Sequence, residues 1–520
     1  MPLSRRYVFL TTVLQAIAHV TAVRFSVRGE VGSPAHLSRR DHVLGLDNGN
    51  NIQYFTNITL GGQQFGVSID TGSSDLWVAG VVPNANDTGA SAKVTYAIGQ
   101  VQGPVRTAPL EFAGFTVPDQ AFFQVVPADN TPSGFGLIGL GPNDASHVHT
   151  ALKNKPAGDA VLDRIFSQDR STPNFLTVLL SRSDDPDEQY PGDITVGELL
   201  PGYEAVADAP KVNVTSVGTI ERLEEGQHWQ ALMDVGGIVG PDGQAIDVTS
   251  HVSGTADKRQ LTAIFDTGFT LPQVPKDVSD AIYSRIEGAQ FQNINATGPI
   301  WTLPCDAEVN VTIRIGGQPF PIHPLDTNFE LQLPDDNGTH LCVGSFQPIT
   351  SGASSSFDVI LGMAFLRNAY LLINFGDFLD GTNATAPPFV QLLALTNDTA
   401  LAHRDFVNVR LGGVDRTGDQ HTQAAPASSS GDGQSFFTRH RSAVLIGAAV
   451  GGGVLLLIAG CVVLKVVRRR RRQRQGAGAA IGMGGVYRKL QEPAPAGEME
   501  QVRDYRGGES FSTPWDKSSA

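Results

Sequence analysis

The reading of the fold turns on Gly66–Val78, GVSIDTGSSDLWV, and on a second stretch of the same design at Leu261–Val274, LTAIFDTGFTLPQV. In each, an apolar run of strand composition passes straight into Asp-Thr-Gly, first at Asp70 and again at Asp266. A carboxylate directly after a buried strand is costly unless it is hydrogen-bonded or put to use. Each triplet has a later apolar-Gly companion, GLIGLGP around Gly139 and DVILGMAFL around Gly362. The order occurs twice, as expected of two related halves that face each other and present two carboxylates.

Outward from these segments, residues 41 to about 410 alternate short apolar runs with glycine-containing turns. YFTNITLGGQQFGVSID, PLEFAGFTVPDQAFFQVV and VNVTIRIGGQPFPI read as hairpins, β-branched runs broken by turn residues. The clearest helical candidate is Asp277–Ile286, with Val278, Ile282, Arg285 and Ile286 at helical spacing. An all-β body follows. The composition agrees: 41% hydrophobic and 17% charged residues with 57 Gly and 31 Pro exclude a disordered polyelectrolyte and favour a turn-rich chain. Length alone allows two to four compact units in 520 residues. Three cysteines permit at most one internal disulfide, which excludes a disulfide scaffold.

The two ends read as targeting segments. Residues 1–22 place Arg5 and Arg6 before an apolar run and end in small residues, the pattern of a secretory signal peptide. Residues 23–40 form a short segment ending in Ser38, Arg39 and Arg40, either a dibasic propeptide cleavage site or two exposed arginines. Residues 443–464 carry no charge over 22 positions, enough for a helix to cross a hydrocarbon core of about 30 Å. Lys465, Arg468–Arg472 and Arg474 follow at once, which puts the tail 465–520 in the cytosol. Residues 411–442, rich in Gly, Ser, Thr and Gln, read as a flexible stalk. Asn57, Asn86, Asn213, Asn295, Asn310, Asn337, Asn383 and Asn397 each begin an Asn-x-Thr sequon, and all lie between signal and span. That placement fits a lumenal or extracellular body carrying glycans. The formal charge of −14 divides accordingly: the tail from Lys465 has 12 bases and 6 acids, leaving −20 elsewhere. An acidic body argues against a nucleic-acid partner.

The two triplets and their companions resemble the pepsin-like aspartic peptidase family, and within it the fungal members with a C-terminal membrane anchor. The resemblance covers roughly Tyr54 to Leu395. It implies a bilobed, nearly all-β fold, divided near residue 210, with one catalytic aspartate per lobe, Asp70 and Asp266. Two carboxylates about 3 Å apart do not both ionise easily, so they share a proton and activate a water for attack on a peptide carbonyl. The resemblance further implies support from Thr71, Gly72, Ser73, Thr267 and Gly268, a flap tyrosine at Tyr96 with Trp77 as its neighbour, and one disulfide, Cys305 to Cys342. It calls for neither cofactor nor metal.

Some positions depart from the family pattern. Phe269 stands where Ser or Thr is usual, which removes an outer hydroxyl from Asp266 unless Thr270 compensates. Ala97, Phe135 and Met363 also differ, without removing a catalytic group. Gly134–Gly139 formally matches GxGxxG, but no βαβ unit surrounds it. His147 and His149 read as a loop pair, Cys461 as a packing residue of the span, and Tyr487–Leu490 as a short endocytic-type signal. Together these observations lead to a monomeric, type I membrane-anchored endopeptidase made as a zymogen, acting on peptides or proteins at the cell surface or in a secretory or vacuolar compartment. The alternative is a catalytically inactive pepsin-like binding or adhesion protein, motivated by Phe269.

Overall fold

Two glycine pairs show how the chain makes its strands. Gly61 and Gly62, with φ of 61° and 82°, and Gly316 and Gly317, with 63° and 77°, occupy the centres of tight turns. Positive φ at both central positions defines the type I′ hairpin, and glycine reaches it without strain. These turns join Gln53–Leu60 to Gln63–Asp70 and Val311–Ile315 to Gln318–Ile322 as antiparallel pairs. Ala113 and Gly114 close the third expected hairpin, between Gln100–Phe112 and Phe115–Val125.

The structure, a computed structural model, describes residues 42–96, 100–128, 131–168, 172–183, 191–218, 226–294, 298–334, 340–349, 354–376 and 386–419. The segments read as signal, propeptide, membrane span and cytosolic tail lie outside these residues. Among the described residues, no helix is long and apolar enough to cross a membrane.

The described residues are mostly β. An eight-stranded sheet gathers the strands between Asp47 and Gly139, while the strands from Gln230 to Pro348 and Val359–Leu361 form sheets of five, three and four. The two triplet segments are built alike. Gln63–Asp70 runs parallel to Phe135–Gly139, with Asp70 opposite Gly139, and Leu76–Ala79 lies antiparallel on the other side of that strand. In the second half Thr262–Phe265 runs parallel to Val359–Leu361, with Gln273–Val274 antiparallel beyond it. In both, the chain leaves one strand at Asp-Thr-Gly and returns across the apolar-Gly strand. Space there is tight: a Cβ at Gly139 would meet the Asp75 backbone nitrogen at 2.4 Å, and one at Gly362 the Phe269 carbonyl oxygen at 2.4 Å.

A six-stranded antiparallel sheet joins the halves, in the order Val43–Gly45, Gly192–Val196, Phe175–Leu180, Ala369–Asn374, Phe389–Ala394 and Val212–Asn213. One apolar core runs through both halves, from Phe65, Val67 and Ile69 to Phe265, Leu361, Phe365 and Ile373.

The helix expected at Asp277–Ile286 is Lys276–Tyr283, with Val278 and Ile282 buried. It stops before Arg285, where the chain turns toward the strand Gln290–Ile294. A second helix, Thr399–Leu411, had not been expected. Asp398 caps it by accepting the N–H groups of Ala400 and Leu401 at 3.0 Å, and Gly412, at φ 63°, closes it. Arg410 donates to Glu330 Oε2 at 2.6 Å and to the Asn328 carbonyl at 3.2 Å. Asp415 Oδ2 lies 3.3 Å from His403 Nε2, and Thr417–Asp419 forms a 3₁₀ turn. Described residues of the segment read as a stalk, 412–418, are almost all exposed.

Candidate active site

Asp70 and Asp266, at the ends of their parallel strand pairs, are 5% and 7% exposed. A Cβ at Gly72 would lie 2.1 Å from Asp266 Oδ2. One at Gly268 would lie 2.5 Å from Asp70 Oδ1 and 3.0 Å from Asp266 Oδ1. The two carboxylates thus flank a single point, and each occupies space that a side chain on the other triplet would need.

A clasp of threonines fixes this geometry. The Thr71 N–H donates to Thr267 Oγ1 and the Thr267 N–H to Thr71 Oγ1, both at 3.0 Å. Thr71 Oγ1 then donates to the Phe265 carbonyl at 2.8 Å, and Thr267 Oγ1 to the Ile69 carbonyl at 3.1 Å. All four groups are buried and satisfied.

The carboxylates differ in their donors. Asp70 accepts the Gly72 N–H at 2.9 Å on Oδ1 and the Ser73 hydroxyl at 2.5 Å on Oδ2. Asp266 accepts the Gly268 N–H at 2.7 Å, and the nearby Phe269 N–H also favours its charged form. Thr270 does not make up for Phe269, because its hydroxyl donates to the Ile52 carbonyl at 2.7 Å. Burial, and after it the charge of Asp70, pushes the Asp266 carboxyl well above the usual carboxylate range.

Tyr96 and Trp77 meet as expected, Trp77 Nε1 donating to the Tyr96 hydroxyl at 2.9 Å. The indole N–H only donates and the Asp70 carboxylate only accepts, so Trp77 donates to Tyr96 while Ser73 donates to Asp70. Burial, reinforced by Asp70 and Asp75, holds the Tyr96 phenol well above its ordinary pKa, which keeps it protonated. Residues 97–99, which include Ala97, lie outside the described residues.

Sequence reasoning missed three supports. His228 shares a hydrogen bond of 2.9 Å between Nδ1 and the Gly72 carbonyl, so a residue of the second half braces the loop after Asp70 and its Nδ1 carries the proton. Trp229 Nε1 donates to the Leu140 carbonyl at 2.9 Å, just past Gly139. Asp75, five residues after Asp70, accepts the Ser146 hydroxyl at 2.7 Å and the N–H groups of His147 and Val148 at 3.0 and 2.9 Å. The Asp75 signal lay in the quoted stretch, as a second acid in GVSIDTGSSDLWV. For His228 no motif gave warning. His147 belongs to the Asp75 cluster, its Nδ1 3.0 Å from Oδ2.

Comparison with known proteins supplies the lineage. A family model described as "Eukaryotic aspartyl protease" matches residues 53–88 and 82–379, which include both triplets and Tyr96. The chain belongs to the eukaryotic aspartyl protease family. It is an aspartic endopeptidase by that membership. Relatives include Major aspartyl peptidase 1 of Cryptococcus neoformans var. grubii, 27% identical over 384 residues, 66% of this chain and 71% of that protein. Aspergillopepsin-1 of Aspergillus oryzae is 28% identical over 375 residues, 66% of this chain and 80% of its own. The crystal structure of the aspartic proteinase from Irpex lacteus shares the fold, with a TM-score of 0.51 at 20% identity, over 69% of this chain and 98% of that one.

Other expected features of this aspartyl protease can be placed. Cys305 and Cys342 are bonded, with Cα atoms 5.1 Å apart. Of the sequon asparagines, Asn57, Asn86, Asn213, Asn310 and Asn397 fall on described residues and all five are exposed. Asn295, Asn337 and Asn383 lie outside the described residues.

Proposed function

We propose that Asp70 and Asp266 form the catalytic dyad of an endopeptidase held at a membrane by the span 443–464, with its body in a lumenal or extracellular space. The observation that carries the catalytic part is the crosswise fit of the two carboxylates around Gly72 and Gly268. One proton shared between them resides on Asp266, whose carboxyl burial and Asp70 hold in the neutral form. Asp70, served by the Gly72 N–H and the Ser73 hydroxyl, is then the base.

In the reaction, Asp70 takes a proton from a water held between the carboxylates, and the water oxygen attacks the scissile carbonyl. Asp266 donates its proton to the carbonyl oxygen. As the resulting gem-diol collapses, Asp70 gives the proton it took to the leaving nitrogen and Asp266 recovers one from a gem-diol hydroxyl, so the amine leaves and no covalent enzyme intermediate forms. Tyr96, held by Trp77, supplies the flap side chain that covers the substrate, and the Ser73 hydroxyl orients Asp70.

The topology rests on sequence: 22 uncharged residues, the basic flank beginning at Lys465, and eight sequons all on the other side of the span. The body would be released from the segment 23–40 by cleavage after Arg40.

Proteolysis by the matured protein from about pH 3 to about pH 7, against Asp70→Asn and Asp266→Asn, is the test. Each substitution should lower kcat/KM by about 10²–10⁴-fold, the usual worth of acid-base catalysis. Activity indifferent to either would remove the dyad assignment. Inactivity of the wild type after maturation would favour a binding protein.

A further inference from the structure

A cavity of about 410 Å³ opens between the hairpin Val311–Ile322 and the first turns of the helix Thr399–Leu411, and shares no residue with the dyad or with Tyr96. Its size is that of a small-ligand cleft. Half-buried Pro321 gives it an apolar edge, with Val311 and Ile322 buried beneath. The lining also holds Glu308 and His403, paired at 2.9 Å, and the hydroxyl-bearing Thr312, Thr396 and Thr399. An apolar face beside fixed donors and acceptors suits a pyranose ring, which has C–H faces and a polar rim.

Two sequons converge on this cavity. Asn310, Val311 and Thr312 all line it, so the acceptor asparagine is itself part of the wall, and it is exposed. The sequon beginning at Asn397 contributes Thr399, but Asn397 Nδ2 donates to the Ala394 carbonyl at 2.8 Å and is not in the lining.

We propose that the cavity is the seat of the N-glycan carried by Asn310, whose proximal N-acetylglucosamine packs on Pro321 beside the Glu308–His403 pair and holds the helix Thr399–Leu411 against the hairpin. A tether of this length makes the interaction intramolecular, with an effective concentration in the millimolar range. Sugar affinity far too weak to matter in solution is enough to fill the site. The inference rests on the lumenal or extracellular orientation proposed above.

The test uses the full chain made in a eukaryotic host, with glycopeptide mass spectrometry to read each sequon. The native protein is then treated with an endoglycosidase, and release is followed separately at Asn310 and Asn57. The Asn310 glycan should be released about tenfold more slowly than the Asn57 glycan, with equal rates after denaturation. Pro321→Arg, which fills the cavity and leaves the sequon intact, should abolish the difference without changing occupancy. Equal native rates would overturn the proposal, as would an empty Asn310 beside an occupied Asn57. A slowly released glycan at Asn397 with a freely cleaved one at Asn310 would give the cavity to the other sequon and also overturn it. If every sequon were empty, the orientation itself would fall.

Discussion

Thr71 and Thr267 each accept the other's backbone N–H at 3.0 Å, so the two halves of the site are locked by a reciprocal bond between equivalent residues. Only a side chain that accepts and donates at once serves here, since each hydroxyl also bonds a carbonyl of the opposite half. Thr267→Val keeps the shape but leaves the Thr71 N–H and the Ile69 carbonyl buried without partners. Each such loss costs about 1–3 kcal/mol. Urea denaturation should show a drop of that order, together with a larger fall in kcat/KM than in stability. Equal stability of wild type and variant would contradict the clasp.

Gly72 faces Asp266 so closely that a methyl group there would sit 2.1 Å from Oδ2. Gly72→Ala must push the carboxylates apart. A displacement of about 1 Å in reacting groups costs on the order of 10²-fold in rate, and that loss is expected in kcat. Gly243→Ala is the contrast, because nothing lies within 4 Å of its Cβ position and only its positive φ, 73°, opposes the change. Its activity should stay near wild type while its stability falls slightly.

Phe269→Thr restores an outer hydroxyl beside Asp266. A hydroxyl donating to the ionised carboxylate favours the charged form, so the dyad loses its shared proton at lower pH. A charge-assisted bond of about 1.5–3 kcal/mol corresponds to roughly one to two pH units. The alkaline limb of the kcat/KM profile should move down by up to that amount. An unmoved limb would mean that the backbone N–H groups of Gly268 and Phe269 already settle the ionisation.

Stability should favour acid. Burial, reinforced by Asp159, raises the Asp163 carboxyl from 3.8 to about 7, and burial raises Asp193 to about 7. The folded chain therefore holds protons that the unfolded chain has already released, and between about pH 4 and about pH 7 stability falls as pH rises, levelling above. Asp163→Asn cannot ionise. Its urea midpoint should exceed that of wild type by more at pH 7.5 than at pH 4.5, and identical differences at both would exclude Asp163 as a contributor.

The repeated triplet was legible because chemistry and fold impose the same demand twice: an acid at a strand end, and a glycine where two strands nearly touch. The hairpins at Gly61 and Gly316 were legible for a similar local reason, positive φ at two successive residues. The helix Thr399–Leu411 was not, since Asp405 and Arg410 interrupt its apolar side and its hold comes from partners distant in sequence, such as Glu330 and Asn328. Thr270 shows the same limit within the site. Its hydroxyl could be read as a neighbour of Asp266, yet it is spent on Ile52, more than two hundred residues earlier.

The central sheet sets a timetable for synthesis. Phe175–Leu180, with the sequence FLTVLL, pairs on one edge with Gly192–Val196 as soon as that hairpin emerges, but its other edge belongs to Ala369–Asn374. Those partners leave the ribosome about 200 residues later, which at 5–20 residues per second is a delay of roughly 10–40 s. For that interval the nascent first half carries an apolar strand with an open edge, an invitation to pair with the wrong chain. A truncation before Ala369 leaves that edge open for good.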